Sequence, residues 1–306
     1  MKSGRLMTAF AIATSLAFTM RAATNATGIV YSTIPAAEGH PAVELKLDLS
    51  VPQSNGPVPC FIYVHGGSWK AGSRKNCPYV APLGKLGWAV ASIDYRLTDK
   101  GRNPFPAQII DTKEAIRFLR ANAAQFGLDP ELFCIAGSSA GGHLASLAGV
   151  TSGYDAVCRE KPVKDPACAV AAVVDMFGPT DLRVMAAPMI AFVRQNPGTL
   201  PQGAEDGIAL LGTNDIDEAV KLLDEASPAA FLEGRLPTAT MPRFLILHSK
   251  GDSLVPVAQA ELFHAALEKA GVKSELHLYD AKGHYLPPQS MADLTAFLSS
   301  LRATRN

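Results

Sequence analysis

The stretch CIAGSSAGGHLASLAG (residues 134–149) places two adjacent serines among small residues. A nucleophile on a sharp turn between a strand and a helix needs very small residues two positions before and after it, because any side chain there would collide with the backbone of the turn. Ser139 has Gly137 and Gly141 at these positions, whereas Ser138 has alanines. The spacing therefore predicts Ser139 as a nucleophile between a buried strand and a helix, with Ser138 supporting the turn or facing solvent.

The segments on both sides of this turn alternate between strand-like and helix-like patterns. Apolar runs and one alternating run predict the strands VELKLDLSV (43–51), CFIYV (60–64), WAVASI (88–93), LFCIA (132–136), AVAAVVDMF (169–177), RFLILH (243–248) and SELHLY (274–279). Helical spacing predicts helices over residues 107–126, 257–270 and 290–301. This alternation predicts an α/β fold with a mostly parallel central sheet and helices on both faces.

One long segment breaks the alternation of strands and helices. Residues 183–242 are rich in Pro and Gly and contain a helical pattern of their own in DIDEAVKLLDEA. A segment of this length without regular alternation is usually functional rather than a simple connection. We therefore expect a small cap-like insertion over the top of the sheet and not a separate domain.

The composition and the N-terminus narrow the class of protein. The 306 residues carry 28 Lys and Arg against 28 Asp and Glu, which argues against nucleic acid or an anionic membrane as a partner.

A positively charged start, an apolar run and small residues predict a signal peptide over residues 1–26, followed by a single domain over residues 27–306. We expect a secreted or periplasmic protein with no membrane segment after cleavage; a retained N-terminal anchor is the alternative.

Export would permit disulfide bonds. Cys158 and Cys168 flank a polar loop and are the predicted pair, while Cys60 and Cys134 lie in apolar strand-like runs and are expected to be buried. None of the cysteines has the spacing of a metal site. We therefore expect no metal ion.

A serine hydroxyl becomes nucleophilic when a base accepts its proton and a third group orients that base. In a sheet of this kind the expected chain order is serine, then an acid, then histidine. His284 follows the last predicted strand in a loop marked by Gly and Pro, where such sheets carry catalytic groups, whereas His143 is expected to point away along its helix. Asp252, just past a strand end, is the predicted acid; Asp280, too close in sequence to reach round the ring, and Asp181 are its rivals.

Acyl transfer also needs backbone N–H groups that stabilise the oxyanion of the intermediate. The residue after the nucleophile, Ala140, is one predicted donor, and the loop HGGSW after a buried strand supplies others through Gly66 and Gly67. His65 is expected to hold this loop by a hydrogen bond and not to act as a base. Trp69 either lines the pocket or packs beneath it.

The stretches YVHGGSW, SIDYRL, IAGSSAGGHLA, VVDMFGPTDL and ILHSKGDSLVPVAQAELF give the chain a family resemblance. The chain resembles α/β-hydrolases of the hormone-sensitive-lipase-related esterases, and more closely the bifunctional feruloyl and acetyl xylan esterases. The resemblance implies the α/β-hydrolase fold and two-step acyl transfer without a metal or organic cofactor. It implies a triad of Ser139, Asp252 and His284 and an oxyanion hole of Gly66, Gly67 and Ala140.

Two residues depart from the family pattern. Ser68 stands where the lipase-type motif has a third glycine, and Ser249 stands where the family usually has glycine after the histidine that ends a strand. Neither departure removes a catalytic group. The first leaves open which amide of the loop donates to the oxyanion.

The function that these expectations favour is a secreted serine ester hydrolase that removes acetyl or feruloyl groups from plant polysaccharide such as xylan. A serine peptidase of the prolyl-oligopeptidase type shares the turn, but the chain lacks the length for the propeller that such peptidases usually carry. A lipase or an esterase for small non-carbohydrate esters is a further alternative. A scaffold on an inactive hydrolase fold usually lacks the serine or the histidine, and both are present here.

Overall fold

The structure is a computed structural model that describes residues 20–36, 41–99, 101–155, 164–201, 204–234 and 241–303. The strands are β1 (Thr24–Ile34), β2 (Val43–Val51), β3 (Val58–Val64), β4 (Ala89–Ile93), β5 (Leu128–Ser138), β6 (Ala172–Met176), β7 (Arg243–Gly251) and β8 (Ser274–Lys282). The helices are α1 (Val80–Lys85), α2 (Ala107–Ala121), α3 (Ala123–Phe126), α4 (Ala140–Val150), α5 (Leu182–Gln195), α6 (Glu205–Leu211), α7 (Ile216–Ala226), α8 (Pro228–Phe231), α9 (Ala258–Lys269) and α10 (Ser290–Ala303).

The strands form one eight-stranded sheet in the order β1-β2-β4-β3-β5-β6-β7-β8. β4, β3, β5, β6, β7 and β8 run parallel to one another, and β2 runs antiparallel to both β1 and β4. The predicted mostly parallel sheet is confirmed. Because neighbouring parallel strands end at the same edge, the loops after β3, β5, β7 and β8 lie along one side of the molecule.

The sheet is covered on both faces, as its apolar runs require. β3, β4 and β6 are buried along their whole length. One core cluster joins the sheet to α2, α4 and α9, and the other joins the opposite face to α1 and α10. The predicted helices on both faces are therefore present, and the apolar strands provide the free energy that holds the two layers to the sheet.

The helix predicted over residues 107–126 is divided in two. Asn122 has φ −104° and ψ 13°, between α2 and α3, and its side chain donates to the carbonyl of Phe118 at 2.8 Å. An Asn side chain that bonds to the backbone competes with the helical ladder and favours such a break. Gly127, at φ 73°, then ends the helical segment before β5, as the sequence predicts.

The strand β1 was not among the predicted elements. It begins at Thr24, inside the range assigned to the signal peptide, and its first three residues pair with β2 as Thr24↔Val51, Asn25↔Ser50 and Ala26↔Leu49. Cleavage after Ala26 would thus remove the start of this edge ladder. Residues 1–19 lie outside the described ranges, and the signal peptide stays a prediction. No helix among the described residues is long and apolar enough to cross a membrane.

The segment predicted as a cap-like insertion connects β6 to β7. It contains most of α5 and all of α6, α7 and α8, and α7 coincides with the predicted helix in DIDEAVKLLDEA. Asp215 caps α7 by accepting hydrogen bonds from the N–H groups of Asp217 and Glu218, both at 2.9 Å. Such a cap satisfies amides that have no partner within the helix. The start of α7 is therefore fixed by local sequence.

The two glycines around Ser139 are required by the close approach of neighbouring backbone. A Cβ on Gly137 would lie 2.2 Å from the carbonyl oxygen of Gly141, and a Cβ on Gly141 would lie 2.1 Å from that of Val64. Both distances are far below van der Waals contact, and the obstacle in each case is backbone. The structure thus confirms that the turn has no room for a side chain at position 137 or 141.

Gly141→Ala is expected to destabilise the protein by at least about 3 kcal/mol, because the turn must open to admit a methyl group. Gly84→Ala is the matched control: Gly84 lies within α1, and a Cβ there meets nothing within 4 Å. That control should gain up to about 1 kcal/mol from helix propensity. Urea unfolding of the two variants checks the prediction, and equal stability of both would contradict it.

Candidate active site

Ser139 stands between β5 and α4 in a strained backbone conformation. Its φ is 54° and its ψ is −122°, a region that costs a non-glycine residue about 1–3 kcal/mol. Its N–H donates to the carbonyl of Met176 at 2.9 Å, and α4, which begins at the next residue, is buried along its whole length. The surrounding core therefore holds Ser139 on the sharp turn that the sequence predicts.

Asp252 and His284 form a hydrogen-bonded pair after β7 and β8. Nδ1 of His284 lies 2.7 Å from Oδ2 of Asp252. Oδ1 of Asp252 accepts the N–H groups of Leu254 at 2.8 Å and Val255 at 3.0 Å, so both carboxylate oxygens have partners. The carboxylate is thereby fixed toward the ring, and it orients the histidine with its proton on Nδ1.

The other ring nitrogen of His284, Nε2, is buried and has no hydrogen-bond partner among the described residues. The ring packs against Phe177 with centroids 4.6 Å apart, and Phe177 follows Met176, whose carbonyl holds the N–H of Ser139. The hydrogen bond from Ser139 Oγ to Nε2 is accordingly not formed in this structure, although such bonds often tighten only when substrate binds. With Nδ1 bonded to Asp252, Nε2 is the nitrogen that can accept a proton.

The rival acids are engaged elsewhere. Asp280 is an exposed carboxylate paired with Lys250 at 2.8 Å. Asp181 caps α5 by accepting the N–H of Arg183 at 3.1 Å, and it pairs with the guanidinium of the same residue at 2.8 Å. Neither rival has a hydrogen bond to His284 among the described residues. The choice of Asp252 agrees with this geometry.

Ser249, a departure from the family pattern, supports the loop of the histidine. Its hydroxyl donates to the carbonyl of Tyr285 at 2.5 Å, and the N–H of Gly283 donates to the carbonyl of Gly251 at 2.9 Å. These bonds flank His284 on both sides in the chain. A glycine at position 249 would lack the first of them, so the substitution adds a tether rather than removing a function.

The loop after β3 lies directly against the turn of Ser139. A Cβ on Gly66 would stand 3.2 Å from Cβ of Ser139, which shows how closely the two backbones approach. His65 holds the loop as expected: its Nδ1 bonds to the carbonyl of Gly66 at 2.8 Å, and its ring stacks on Tyr95 at 4.3 Å. Burial lowers the pKa of His65 and favours its neutral form.

The predicted oxyanion donors meet at this contact. Ala140 is the first residue of α4, and the first amides of a helix have no acceptor within the helix. Gly66 and Gly67 belong to the adjoining loop, in which Gly67 has φ 118° and Ser68 has φ 49°. Ser68 thus adopts the left-handed conformation that glycine takes without strain, which explains why the motif usually has a third glycine at this position.

Trp69 both lines the pocket and is anchored in the core. Its indole N–H donates to Nδ1 of His143 at 3.1 Å, and the two rings meet edge to face. Nε2 of His143 bonds to the carbonyl of Ala226 at 2.6 Å. Burial lowers the pKa of His143 to about 4, so the ring is neutral near pH 7. Because Trp69 and Ala226 already engage both ring nitrogens, His143 is not placed to act as the base, as expected, but these two links were not predicted.

A largely apolar cavity of about 220 Å³ opens beside the nucleophile. Ser139 and Ala140 line it together with Trp69 and with residues of α5, α6 and α7 that include Met185 and Leu223. The sequence indicated Trp69 as a candidate for the pocket but did not indicate the contribution of α6 and α7. No local pattern carries that information, because it depends on how the insertion folds back over the sheet.

Asp175 on β6 is a buried carboxyl behind α4. Its Oδ1 accepts the N–H of Gly178 at 2.9 Å, and burial raises its pKa from 3.8 to about 7. Between about pH 4 and pH 7 the carboxyl of Asp175 is therefore protonated in the folded chain and ionised in the unfolded chain. The protonated carboxyl favours the folded state below about pH 4, and this contribution to the free energy of unfolding is lost as the pH rises to about 7.

Asp175→Asn keeps an acceptor for Gly178 and removes the titration. The free energy of unfolding of the variant, minus that of the wild type, should therefore increase with pH between about 4 and 7, at no more than about 1.4 kcal/mol per pH unit. Urea unfolding at three pH values measures this difference, in which groups common to both proteins cancel. A difference that stays constant or falls with pH would contradict the prediction.

The predicted disulfide falls partly outside the described residues. Cys158 lies in the range 156–163, which the structure does not describe, so the pairing with Cys168 is untested. The Cys168 thiol is buried near Nζ of Lys113 at 3.8 Å and donates to the carbonyl of Tyr154 at 3.2 Å. Within the described ranges, no group of three or more His, Cys, Asp or Glu side chains is arranged to hold a metal ion.

Comparisons with known proteins agree with this architecture. A family model described as BD-FAE matches residues 47–267, well over half of the chain. The Mycobacterium tuberculosis protein "Probable carboxylic ester hydrolase LipM" is 30% identical over 262 residues, which cover 82% of this chain and 56% of that protein. "Esterase LipC" from the same organism is 35% identical over 210 residues, which cover 68% of this chain and 47% of that protein. The chain thus spans about half the length of the curated relatives it matches.

A solved structure described as a truncated form of carbohydrate esterase from gut microbiota superposes with a TM-score of 0.71 at 30% identity. The match covers 91% of this chain and 96% of that one. Together with the sheet order and the turn at Ser139, it confirms the predicted α/β-hydrolase fold. The predicted family resemblance is confirmed as well: the chain belongs to the BD-FAE family.

Proposed function

We propose that this protein is an exported serine carboxylic-ester hydrolase that removes acetyl or feruloyl groups from xylan-type polysaccharide. The observation that carries the proposal is the 2.7 Å bond between His284 and Asp252, at the edge of the sheet where Ser139 holds its strained turn. The relatives named as esterases and the carbohydrate esterase structure support ester hydrolysis as the chemistry.

The reaction proceeds by two acyl transfers. Oγ of Ser139 attacks the ester carbonyl while Nε2 of His284 accepts the hydroxyl proton, and Asp252 stabilises the resulting imidazolium. The amides of Ala140 and of the Gly66–Gly67 loop stabilise the oxyanion. The bond to the alcohol then breaks, and the histidine returns its proton to the leaving oxygen. Water repeats the sequence on the acyl-enzyme and releases the acid.

The volume of the cavity beside Ser139 indicates which acyl groups it can hold. An apolar protein cavity of roughly 150 Å³ is enough to hold benzene. The cavity here, at about 220 Å³, therefore has room for a phenyl ring with a short extension, whereas an acetyl group would occupy only a small part of it. The volume supports the feruloyl alternative. An acetyl group would make few contacts with the walls and would gain little binding energy from them.

The substrate proposal is tested by chromatography of the acids released from acetylated, feruloylated xylan, with the Ser139→Ala protein as the blank. Acetate or ferulate above the blank supports the proposal and identifies the acyl group. If neither acid appears while simple aryl esters are hydrolysed, the polysaccharide is wrong and the chemistry stands. If aryl esters are untouched as well, the whole proposal fails.

Export is tested separately by expression of the full chain in a bacterial host with a secretory pathway. Mass spectrometry of the N-terminus of the protein recovered from the periplasm or the medium should show that the apolar run of residues 6–20 has been removed. Retention of the intact N-terminus in the membrane fraction would favour an anchor and contradict the cleaved signal.

A further inference from the structure

The loop that carries the predicted oxyanion donors has positive φ at three consecutive residues, two of which are not glycine. Gly67, Ser68 and Trp69 have φ values of 118°, 49° and 58°. Left-handed backbone costs an ordinary residue roughly 1–2 kcal/mol, and such strain persists only where the surroundings over-determine it. Within the loop, the N–H groups of Lys70 and Ala71 close the turn on the carbonyl of Gly67 at 3.0 and 2.9 Å. The position of this turn relative to Ser139 must be set by contacts outside it.

Trp69 supplies the buried contact of this kind. Its carbonyl accepts the N–H of Thr98 at 2.9 Å, and its indole N–H donates to Nδ1 of His143 at 3.1 Å. The ion pair between Lys70 and Asp206 also joins the loop to α6, but both side chains are well exposed and such pairs contribute little. The indole is therefore a buried side-chain tie between the loop and α4, and it adds to the contacts that His65 makes at the start of the loop.

The two nitrogens of His143 have opposite roles. An indole N–H can only donate, so Nδ1 of His143 must be the unprotonated acceptor. Nε2 then carries the proton and donates to the carbonyl of Ala226 at 2.6 Å. The ring is fully buried, and both of its polar atoms are in use.

This ring connects three parts of the site. His143 itself lies on α4, whose first amide belongs to Ala140. Ala226 is the last residue of α7, and Leu223, one turn earlier, lines the cavity beside Ser139 together with Trp69. The imidazole of His143 thus links the loop of Trp69, helix α4 and helix α7, which contributes a wall of the cavity.

We propose that His143 is a positioning residue that fixes the oxyanion loop against α4 and α7 through the indole of Trp69. The inference rests on the proposed function, since the placement of this loop affects rate only if an oxyanion forms there. A donor displaced from the oxyanion loses its stabilisation in the transition state more than in the bound ester. Loss of the link should therefore lower kcat and leave KM nearly unchanged.

Two substitutions separate the two bonds of the ring. In His143→Asn, the amide oxygen takes the place of Nδ1 and can still accept from Trp69. In His143→Gln, the longer amide reaches the place of Nε2 and can donate to Ala226, but the indole loses its acceptor. We expect His143→Gln to lower kcat for 4-nitrophenyl acetate by about 10- to 100-fold, and His143→Asn to lose less than about fivefold.

Trp69→Phe gives an independent test of the same link, because it keeps an aromatic ring and removes the N–H donor together with part of the indole. It should lower kcat to a level similar to that of His143→Gln, and the double variant should lose little more, since both changes remove one interaction. This variant also keeps the test available if His143→Gln fails to fold. Thermal unfolding of every variant accompanies the kinetics.

The proposal is overturned if Asn and Gln at position 143 lower kcat equally, or if Trp69→Phe and His143→Gln reduce thermal stability while kcat stays within twofold. A merely structural histidine would give the second result. These outcomes leave ester hydrolysis by the wild type intact, so they differ from a failure of the proposed function. If the wild type hydrolyses no ester, the proposed function fails and this inference falls with it.

Discussion

Ser139→Ala is expected to lower kcat for 4-nitrophenyl acetate by about 10⁴- to 10⁶-fold, with the protein still folded. The hydroxyl lies on the strained turn, one residue before Ala140, whose amide is a predicted oxyanion donor. Alanine fits the strained turn no worse than serine, because the two residues have the same Cβ. The loss should therefore appear in turnover and not in thermal unfolding.

Ser138→Ala is the matched control at the neighbouring position. The Ser138 hydroxyl bonds to the phenol of Tyr63 at 2.9 Å and so supports the turn, as one of the two predicted roles requires. We expect this variant to retain most of its turnover, with a loss of about 1 kcal/mol in stability from the missing hydrogen bond. The reverse result, an inactive Ser138→Ala and an active Ser139→Ala, would show that the other serine is the nucleophile.

Asp252→Asn is expected to lower kcat by about 10³- to 10⁴-fold, through the tautomer of His284. The amide oxygen of the new residue must take the place of Oδ1, which accepts the N–H groups of Leu254 and Val255. Its NH₂ group then faces Nδ1 of His284, where the carboxylate now accepts. The histidine responds by moving its proton to Nε2, and Nε2 can no longer accept a proton from Ser139.

Asp280→Asn is the matched control for the acid, because Asp280 lies near the end of β8, only four positions before His284. Its side chain is 87% exposed, and it pairs with Lys250 on the surface. We expect its kcat to stay within about twofold of the wild type, since exposed ion pairs contribute little. Steady-state kinetics of the two variants settles the assignment, and a larger loss in Asp280→Asn would reverse it.

The parts of the molecule that local sequence determines were predictable. Short apolar runs indicated β3, β4 and β6, because strands buried on both faces must be apolar throughout. The spacing of Gly137 and Gly141 selected Ser139, because the two backbones that pass the turn leave no room for a Cβ. The order of the strands then placed Asp252 and His284 at one edge, and their contact follows from that order.

The remaining features depend on contacts between distant segments. The link from His143 to Ala226 joins residues 83 positions apart, and no periodicity in either segment indicates it. The strained conformations of Ser68 and Trp69 are equally hidden, because neither residue type favours positive φ. The walls of the acyl cavity come from α5, α6 and α7, whose packing on the sheet is set by tertiary contacts. β1 was obscured because its first residues overlap the predicted signal peptide.

The predicted nucleophile, Ser139, and the predicted base, His284, follow strands that differ in local stability. Ser139 follows β5, which has neighbours on both sides, whereas His284 follows β8, which among the described strands pairs with β7 alone and forms an edge of the sheet. Edge ladders open at lower free energy than central ones, so amide hydrogens of β8 should exchange with solvent sooner than those of β5. On warming, we therefore expect ester hydrolysis to be lost through local opening of β8 while the core around the buried Trp88 is still folded. The heat resistance of the proposed activity would then depend on the edge strand before His284 and not on the global stability of the domain.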